Sequence, residues 1–326
     1  MHVELTRGAI VESAHRVDVA VVGTDGPLLT WGDVERPVIA RSSLKFIQTL
    51  PLLRTGAAER FDVSQQEIAL AASSHSGEKP HIEAVRAWLA RLGLDASALE
   101  CGSTVPLGAA AAIEHHREHG EPAAIINCCS GKHAGFLTVA RHLDIDHVGY
   151  IEPDHPVQQL VTEAVAELTG EQLDEQTPGR DGCGIPTYGI PLNGLATAMA
   201  RLVNPGRLEP ATAAAAERLI DAAIGREFWV SGTGRHEVTL AELSTEPILV
   251  KTGAEGVFMA ALPERGIGIA LKVVDGAVRA SEAAISATLA RLGAIPEDEG
   301  RPILNAAGLE VGRVTVDASS PGLDRL

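Results

Sequence analysis

The sequence predicts a mixed α/β (α+β) fold, in which an antiparallel sheet is flanked by helices and combined with a helix-rich lobe. Three observations predict it. Two β-rich runs near the start are separated by a turn, amphipathic segments fill the middle, and strand-like runs followed by one helix occupy the last third. The two ends of the chain can therefore share one antiparallel sheet, while the middle forms a lobe of helices.

The first elements are a hairpin and a helix. Residues 17–22 and 28–31 are β-rich and flank the turn signal Thr24-Asp25-Gly26, which predicts a β-hairpin. From Leu44 onward apolar residues recur at helical spacing, and we expect Pro51 to kink or end this helix.

The middle of the chain is predominantly helical. Ser64, with Glu67 three residues later, predicts a capped helix start. Further helices are predicted over residues 83–92, 109–119, 156–168 and 210–224. Residues 123–127 form an apolar strand or buried run, and residues 181–189 are too rich in Gly and Pro for regular structure.

The last third returns to strands. Residues 247–251, 257–261 and 268–274 are strand-like, and residues 280–292 form a closing helix. We expect one domain over residues 1–326. Its sheet comes from about 10–40 and 245–293 and its helical lobe from about 41–240, with a C-terminal extension over 296–326.

Charge and hydropathy exclude several classes of partner. The 326 residues carry 27 Lys and Arg against 43 Asp and Glu, a formal net charge of −16. Nucleic acids and anionic membrane surfaces both need a basic face, so neither is expected as a partner. No uninterrupted apolar run approaches the ~18 residues of a membrane-spanning helix, and the N-terminus does not resemble a secretory signal. Four cysteines are too few for a disulfide framework, so we expect buried thiols in a reducing cytoplasm.

The first candidate for chemistry is Ser42-Ser43-Leu44-Lys45, a Ser-x-x-Lys at a helix start. This spacing places Ser42 and Lys45 on one helix face, and a neutral lysine can take a proton from a serine. The alternative is a capping serine, Ser42 or Ser43, beside a surface lysine.

The second candidate is Lys251-Thr252-Gly253, at the end of a predicted strand. An early Ser-x-x-Lys and a late Lys-Thr-Gly are two of the three sequence marks of the penicillin-binding and β-lactamase serine hydrolases. The third mark, Ser-Asp-Asn, is absent, and Ser74-His75-Ser76 is its best polar substitute. For Lys251 the alternative is a solvated strand end.

The third candidate combines Cys129 and Cys183 with a nitrogen ligand. Two cysteines suit a soft divalent metal such as zinc, and Lys132 or His133 could supply the nitrogen. The alternative is a pair of buried cysteines near a lysine. A fourth group, His115, His116 and His119, is surrounded by charged residues and reads as a solvated helix face.

These segments together resemble a known family, the Rhizobium etli-type L-asparaginases. The resemblance lies in residues 41–45 (RSSLK), 73–78 (SSHSGE), 127–135 (NCCSGKHAG), 152–156 (EPDHP), 181–186 (DGCGIP) and 251–256 (KTGAEG). It extends over roughly residues 10–295.

The resemblance implies a serine β-lactamase-like fold and an amidohydrolase that converts L-asparagine to L-aspartate and ammonia. It implies two Ser-Lys pairs, Ser42 with Lys45 and Ser74 with Lys251. It also implies zinc bound near the substrate, a homodimer, and further site residues. The implied zinc ligands are Cys129, Lys132 and Cys183, and the implied substrate-binding residues are Arg41, His133 and Asp181.

One position departs from the family pattern. After Cys101-Gly102 the pattern places a histidine near position 104, where this chain has Thr104. If that histidine shapes the family's pocket, substrate preference differs here. Two other functions remain open: a β-lactam or peptide hydrolase on the same fold, and a non-catalytic amino-acid-binding protein.

Overall fold

The structure is a computed structural model that describes residues 1–173, 177–297 and 300–317. The strands, in chain order, are β1 (His2–Arg7), β2 (Ile10–Gly23), β3 (Gly26–Trp31), β4 (Pro37–Ile39), β5 (Gly179–Arg180), β6 (Pro186–Thr187), β7 (Gly189–Pro191), β8 (Leu249–Thr252), β9 (Val257–Leu262), β10 (Ile267–Val273), β11 (Arg301–Leu304) and β12 (Glu310–Val316). The end of the predicted C-terminal extension, residues 318–326, lies outside the described residues.

The helices, in chain order, are α1 (Lys45–Arg54), α2 (Ala57–Arg60), α3 (Gln65–Ala71), α4 (Lys79–Arg91), α5 (Ala109–Arg117), α6 (Ser130–His142), α7 (Pro156–Thr169), α8 (Leu192–Leu202), α9 (Pro210–Ala223), α10 (Glu227–Val230), α11 (His236–Leu243) and α12 (Val278–Arg291). Among the described residues, none of these helices is both long and apolar enough to cross a bilayer.

The chain divides into two compact units. The sheet unit comprises the described residues of Met1–Ser43, Gly189–Asn204 and Leu240–Leu326, and the helical unit those of Leu44–Tyr188 and Pro205–Thr239. The predicted mixed α/β class with an antiparallel sheet is confirmed by these elements. The expectation of one domain over residues 1–326 stays a prediction.

The sheet unit is built on one antiparallel sheet with the strand order β11-β12-β1-β2-β10-β9-β8, and β3 also pairs with β2. The predicted hairpin is present, because Val21 of β2 pairs with Leu29 of β3. The sheet is wider than predicted. The polar N-terminal residues form β1, and the C-terminal extension supplies β11 and β12.

Strand periodicity gives the sheet two different faces. On one face, Val17, Val19 and Leu271 pack with α12 in a core of aliphatic residues. On the other face lies α8. A Cβ atom at Gly268 would collide with the backbone of α8, so glycine is required for this close approach.

The helical unit is organised around two helices that are buried along most of their length. All residues of α1 from Lys45 to Leu53 are buried, and α1 packs against α6, α7 and α9. In α6 the first eleven residues are buried. Both helices begin at segments singled out in the sequence. Because the first turns of both helices are buried, their side chains lie in the interior of the unit.

Some local predictions are confirmed and others are wrong. Ser64 and Glu67 form the predicted capping box at the start of α3. Pro51 does not end α1, which continues to Arg54, and the alternative that Pro51 kinks the helix stays a prediction. Of the two alternatives for residues 123–127, the buried run is confirmed, because Ile125, Ile126 and Asn127 are buried, and the strand is wrong, because Ala124–Ile126 is a 3-10 helix.

Candidate active site

The residues around Ser42 lie in a 3-10 helix, Arg41–Leu44, immediately before α1. Arg41 has a φ of 54°, a left-handed conformation that is uncommon for a residue with a side chain. The Ser43 hydroxyl donates to the carbonyl of Ala40 at 2.6 Å, and neither Ser42 nor Ser43 caps α1, whose N-cap residue is Leu44. The capping expectation is therefore wrong, and partly buried Ser42 keeps a hydroxyl that is not committed to a cap.

The Lys-Thr-Gly motif lies beside this segment within the sheet unit. Lys251 is fully buried on β8, and its Nζ donates to the carbonyl of Thr252 at 3.0 Å. A Cβ atom at Gly253 would lie 2.7 Å from the Ala40 carbonyl oxygen and 3.3 Å from the Ser43 nitrogen. Glycine therefore permits close contact between the two motifs, and the solvated strand end is excluded.

Lys45 is the centre of a buried cluster in the helical unit. Its Nζ lies 2.5 Å from the Ser73 carbonyl oxygen, 3.0 Å from Ser74 Oγ and 3.1 Å from Cys129 Sγ. The amine of Lys45 is therefore within hydrogen-bond distance of three different acceptors. The alternative of a surface lysine is wrong, since Lys45 has no exposed surface.

The loop that carries Ser74 is fixed on both sides. The Ser74 N–H donates to the Val230 carbonyl at 3.0 Å, and the His75 N–H donates to the Cys128 carbonyl at 3.2 Å. His75 Nδ1 accepts from the Gly77 N–H at 3.1 Å, so its Nε2–H donates to Ser130 Oγ at 2.9 Å. Burial lowers the pKa of His75 to about 3, so the ring is neutral at physiological pH.

Cys129 and Cys183 form a hydrogen-bonded pair in the interior of the helical unit. Hydrogen bonds from the thiols of Cys128 and Cys183, with the positive charges of Lys45 and Lys132, hold the pKa of Cys129 well below its usual value. The hydrogen bond to Cys129, together with burial, raises the pKa of Cys183. One buried thiolate, on Cys129, is therefore stabilised in the cluster.

Lys132 is paired with these sulfurs. Its Nζ donates to Cys183 Sγ at 3.1 Å, and Cys183 Sγ lies 3.5 Å from Asp181 Oδ2. Burial alone lowers the pKa of Lys132, but its electrostatic interactions with Cys183, Cys129 and Asp181 outweigh burial and raise it. The structure thus brings together Cys129, Lys132 and Cys183, the three predicted zinc ligands.

His133 follows Lys132 on α6 and is also fully buried. Its Nδ1 lies 2.6 Å from Tyr150 Oη, and its Nε2 has no hydrogen-bond partner among the described residues. Burial, reinforced by the charge of Lys132, lowers the pKa of His133 well below its usual value. The imidazole of His133 is therefore neutral in the buried cluster.

The structure does not test the predicted pairing of serines and lysines. The hydrogen bond that it shows joins Lys45 to Ser74, whereas the resemblance implies Ser42 with Lys45 and Ser74 with Lys251. Those two pairs stay predictions, and so do the substrate-binding roles of Arg41, His133 and Asp181.

The histidines of the fourth group do not form a site. They belong to α5 and the residues just after it, and α5 has no buried residue. In the part of the chain that the structure describes, no group of three or more His, Cys, Asp or Glu side chains could hold a metal ion.

Two residues of the cluster were missed by the sequence analysis. Tyr150, which contacts His133, lies in a turn and belongs to no motif. Asn127 orients the cysteine segment, since its Oδ1 accepts from the Cys129 N–H and its Nδ2 donates to the Cys101 carbonyl. Asn127 opens the 127–135 motif, and that position was the available signal. Tyr150, one of only two tyrosines, gave no comparable signal.

Comparison with protein families identifies the class of protein. The model of the family described as L-asparaginase II matches residues 3–316. The chain therefore belongs to the L-asparaginase II family, and this membership supports an amidohydrolase.

Among solved structures, the chain is similar to a beta-lactamase from Mycobacterium bovis. The sequence identity is 14%, the match covers 86% of this chain and 95% of that chain, and the TM-score is 0.38. The comparison with curated proteins gives no significant match. The mixed α/β class rests on the strands and helices described above.

Proposed function

We propose that the protein hydrolyses the side-chain amide of L-asparagine, giving L-aspartate and ammonia. The observation that carries this proposal is the family match over residues 3–316. The buried contact between Lys45 and Ser74 supports it, because an amine within hydrogen-bond distance of a hydroxyl can exchange a proton with it, as amide hydrolysis requires.

Ser42 is the proposed nucleophile. Its oxygen attacks the carboxamide carbon of asparagine while Lys45, in its neutral form, takes the hydroxyl proton. Two features favour Ser42 over Ser43: Ser42 stands three residues before Lys45, and the Ser43 hydroxyl is bonded to the Ala40 carbonyl. The C–N bond then breaks, ammonia leaves with a proton, and water hydrolyses the acyl-enzyme to aspartate.

Ser74 and Lys251 are the proposed proton relay to the leaving ammonia. The hydrogen bond between Lys45 and Ser74 supports the first link, because a proton taken by the amine has a hydroxyl at 3.0 Å to receive it. Lys251 joins the relay by motif position.

Three residues are proposed to orient the substrate. The guanidinium of Arg41 is suited to hold the α-carboxylate through paired hydrogen bonds. Asp181 is suited to the α-ammonium, and the neutral ring of His133 to a polar group of the substrate. The charge of Asp181 acts to raise the pKa of both Lys132 and His133. This interaction supports a common location for the three side chains.

Cys129, Lys132 and Cys183 would hold a zinc ion. Their donor chemistry fits, since two sulfurs and one nitrogen are typical zinc ligands and Lys132 Nζ already lies 3.1 Å from Cys183 Sγ. Binding would release the protons of Lys132 and Cys183, because zinc ligands must be deprotonated. Bound zinc would supply positive charge that orients the substrate, and the Ser42–Lys45 pair already provides the nucleophile.

We further propose that the protein acts in the cytoplasm as a homodimer. The first proposal follows from the cysteine usage in the sequence, and the second from the family resemblance. Light scattering on the purified protein measures its molar mass in solution. A homodimer should have twice the 34.1 kDa mass of the chain.

A coupled ammonia assay tests the activity. We expect release of ammonia from L-asparagine, measured beside L-glutamine and several β-substituted aspartyl amides. Turnover of nitrocefin without ammonia release from asparagine would instead indicate a β-lactam hydrolase. A ligand-induced increase in melting temperature without ammonia release would indicate an amino-acid-binding protein.

A further inference from the structure

Tyr150 and His133 form a buried pair in which one ring nitrogen remains unused. Both side chains are fully buried in the helical unit. His133 Nδ1 lies 2.6 Å from Tyr150 Oη, and Nε2 has no partner within the described ranges. Buried polar atoms are nearly always hydrogen-bonded, so an unpartnered ring nitrogen in a candidate active site points to a place where a ligand can bind.

The direction of the hydrogen bond follows from the groups around Tyr150. The Glu100 N–H donates to Tyr150 Oη at 2.9 Å, so that oxygen already acts as an acceptor. The tyrosine proton needs an acceptor of its own, and in the described chain His133 Nδ1 is the one within hydrogen-bond distance. If Nδ1 carried a proton, the hydroxyl proton of Tyr150 would be buried without an acceptor. Tyr150 therefore donates to His133 Nδ1.

The state of the imidazole is then determined. When Nδ1 accepts a hydrogen bond, the single ring proton of a neutral histidine is on Nε2. We infer that Tyr150 is a positioning residue, which holds His133 in the Nε2–H tautomer so that His133 donates a hydrogen bond to an oxygen of the substrate. The identity of that oxygen, a carboxylate or carboxamide oxygen of asparagine, rests on the proposed function.

The same tautomer separates the roles of neighbouring residues. A protonated Nε2 has no lone pair for a metal ion, so the nitrogen ligand of the proposed zinc site is Lys132 and not His133. Phe136 packs against both rings, with centroids 5.6 Å from His133 and 6.4 Å from Tyr150. This packing keeps the ring of His133 in place when the tyrosine hydroxyl alone is removed.

Nitrogen-15 NMR of histidine-labelled protein reads the tautomer directly. We expect the signal of His133, identified by its absence in His133→Leu, to show protonated Nε2 and unprotonated Nδ1. In Tyr150→Phe we expect this pattern to be replaced by a mixture of tautomers. The matched control is Tyr188→Phe, which removes a hydroxyl bonded to Thr162 Oγ1 at 3.1 Å and leaves the His133 signal unchanged.

Kinetics test the donor role separately. His133→Leu should lower kcat/KM for asparagine roughly 100-fold, whereas His133→Gln, whose amide can donate an N–H, should lower it only about tenfold. Tyr150→Phe alone should also lower kcat/KM about tenfold. When Tyr150→Phe is added to His133→Gln, it should lower kcat/KM by less than about twofold more, because glutamine has no tautomer for Tyr150 to fix.

Several outcomes overturn the inference. One is a wild-type spectrum in which His133 carries its proton on Nδ1 or on both nitrogens. This measurement uses the wild type alone, so it does not depend on whether Tyr150→Phe folds. Equal activity of His133→Gln and His133→Leu would exclude the donor role. The spectrum does not depend on turnover, so an Nε2–H signal in a protein that leaves asparagine intact would contradict the proposed function and not the tautomer.

Discussion

The core between the sheet and α12 and the buried cluster around Lys45 contain different kinds of side chain. Between the sheet and α12 the buried residues are aliphatic or aromatic, such as Val19, Phe258 and Leu271. The helical unit buries Lys45 and Lys132 among sulfurs and hydroxyls. Burying charged groups costs free energy unless they are paired, so a contribution to stability does not explain why these two lysines are buried. We interpret the sheet core as the main source of stability and the buried polar cluster as the place of chemistry.

The largest expected effect is on turnover. Ser42→Ala should lower the rate of asparagine hydrolysis by roughly 1,000-fold or more, because the nucleophile is lost, while the melting temperature stays unchanged. The matched control is Ser43→Ala, which removes a hydroxyl bonded to the Ala40 carbonyl and should leave most of the rate. Activity retained in Ser42→Ala but lost in Ser74→Ala would reverse the assignment of the nucleophile.

The second effect concerns metal binding to the cluster. Purified protein should contain about one zinc per chain, and Cys183→Ala should weaken zinc binding by roughly 100-fold or more. Elemental analysis after dialysis measures this. Cys101→Ala is the control, because the Cys101 thiol donates to the Ala124 carbonyl at 3.4 Å and burial raises its pKa to about 12. Equal zinc content in both variants would place the metal elsewhere, and full activity after chelation would make zinc dispensable for turnover.

The third effect concerns the sheet core. Leu271→Ala should lower the free energy of unfolding by about 2–5 kcal/mol, because it leaves a cavity in a fully buried core. Its kcat, normalised to folded protein, should be close to that of the wild type. Urea unfolding and a rate assay on the same sample measure both quantities. A loss of kcat in the folded fraction would show that the two interiors are not separate in function.

The smallest effect is a pH dependence of stability. Burial lowers the pKa of His75 from 6.5 to about 3, so between these values the unfolded chain binds a proton that the folded chain does not. This group therefore makes the wild type less stable as pH falls from about 6.5 toward 3. His75→Gln removes that contribution, so its stability should depend less on pH between 7 and about 5. His116→Gln, at an exposed position, is the control, and identical slopes in all three proteins would contradict a buried neutral His75.

Much of the fold was predictable because its signals are local. The hairpin turn around Asp25, the capping box of Ser64 and the helices with apolar stripes all depend on neighbouring residues. The continuation of α1 past Pro51 could not be predicted from local rules, because it depends on the tertiary packing that buries α1 along its length. The N-terminal strand β1 was missed because its residues look polar until they pair with β2 and β12.

For the site, motifs identified the residues but not their contacts. Lys45, Cys129 and Lys132 were all singled out from the sequence, and the structure places them in one buried cluster. The hydrogen bond from Lys45 to Ser74 spans 29 positions, and the one between His133 and Tyr150 spans 17. Such contacts depend on how α1 and α6 pack, which no short pattern encodes.

The central claim is that the buried polar cluster around Lys45 hydrolyses asparagine. The most direct measurement is ammonia release from L-asparagine by the wild type and by Lys45→Met, with aspartate quantified in the same samples. We predict equal amounts of ammonia and aspartate from the wild type, and a rate at least about 1,000-fold lower from Lys45→Met. Comparable rates from the two proteins, or none from the folded wild type, would contradict the account.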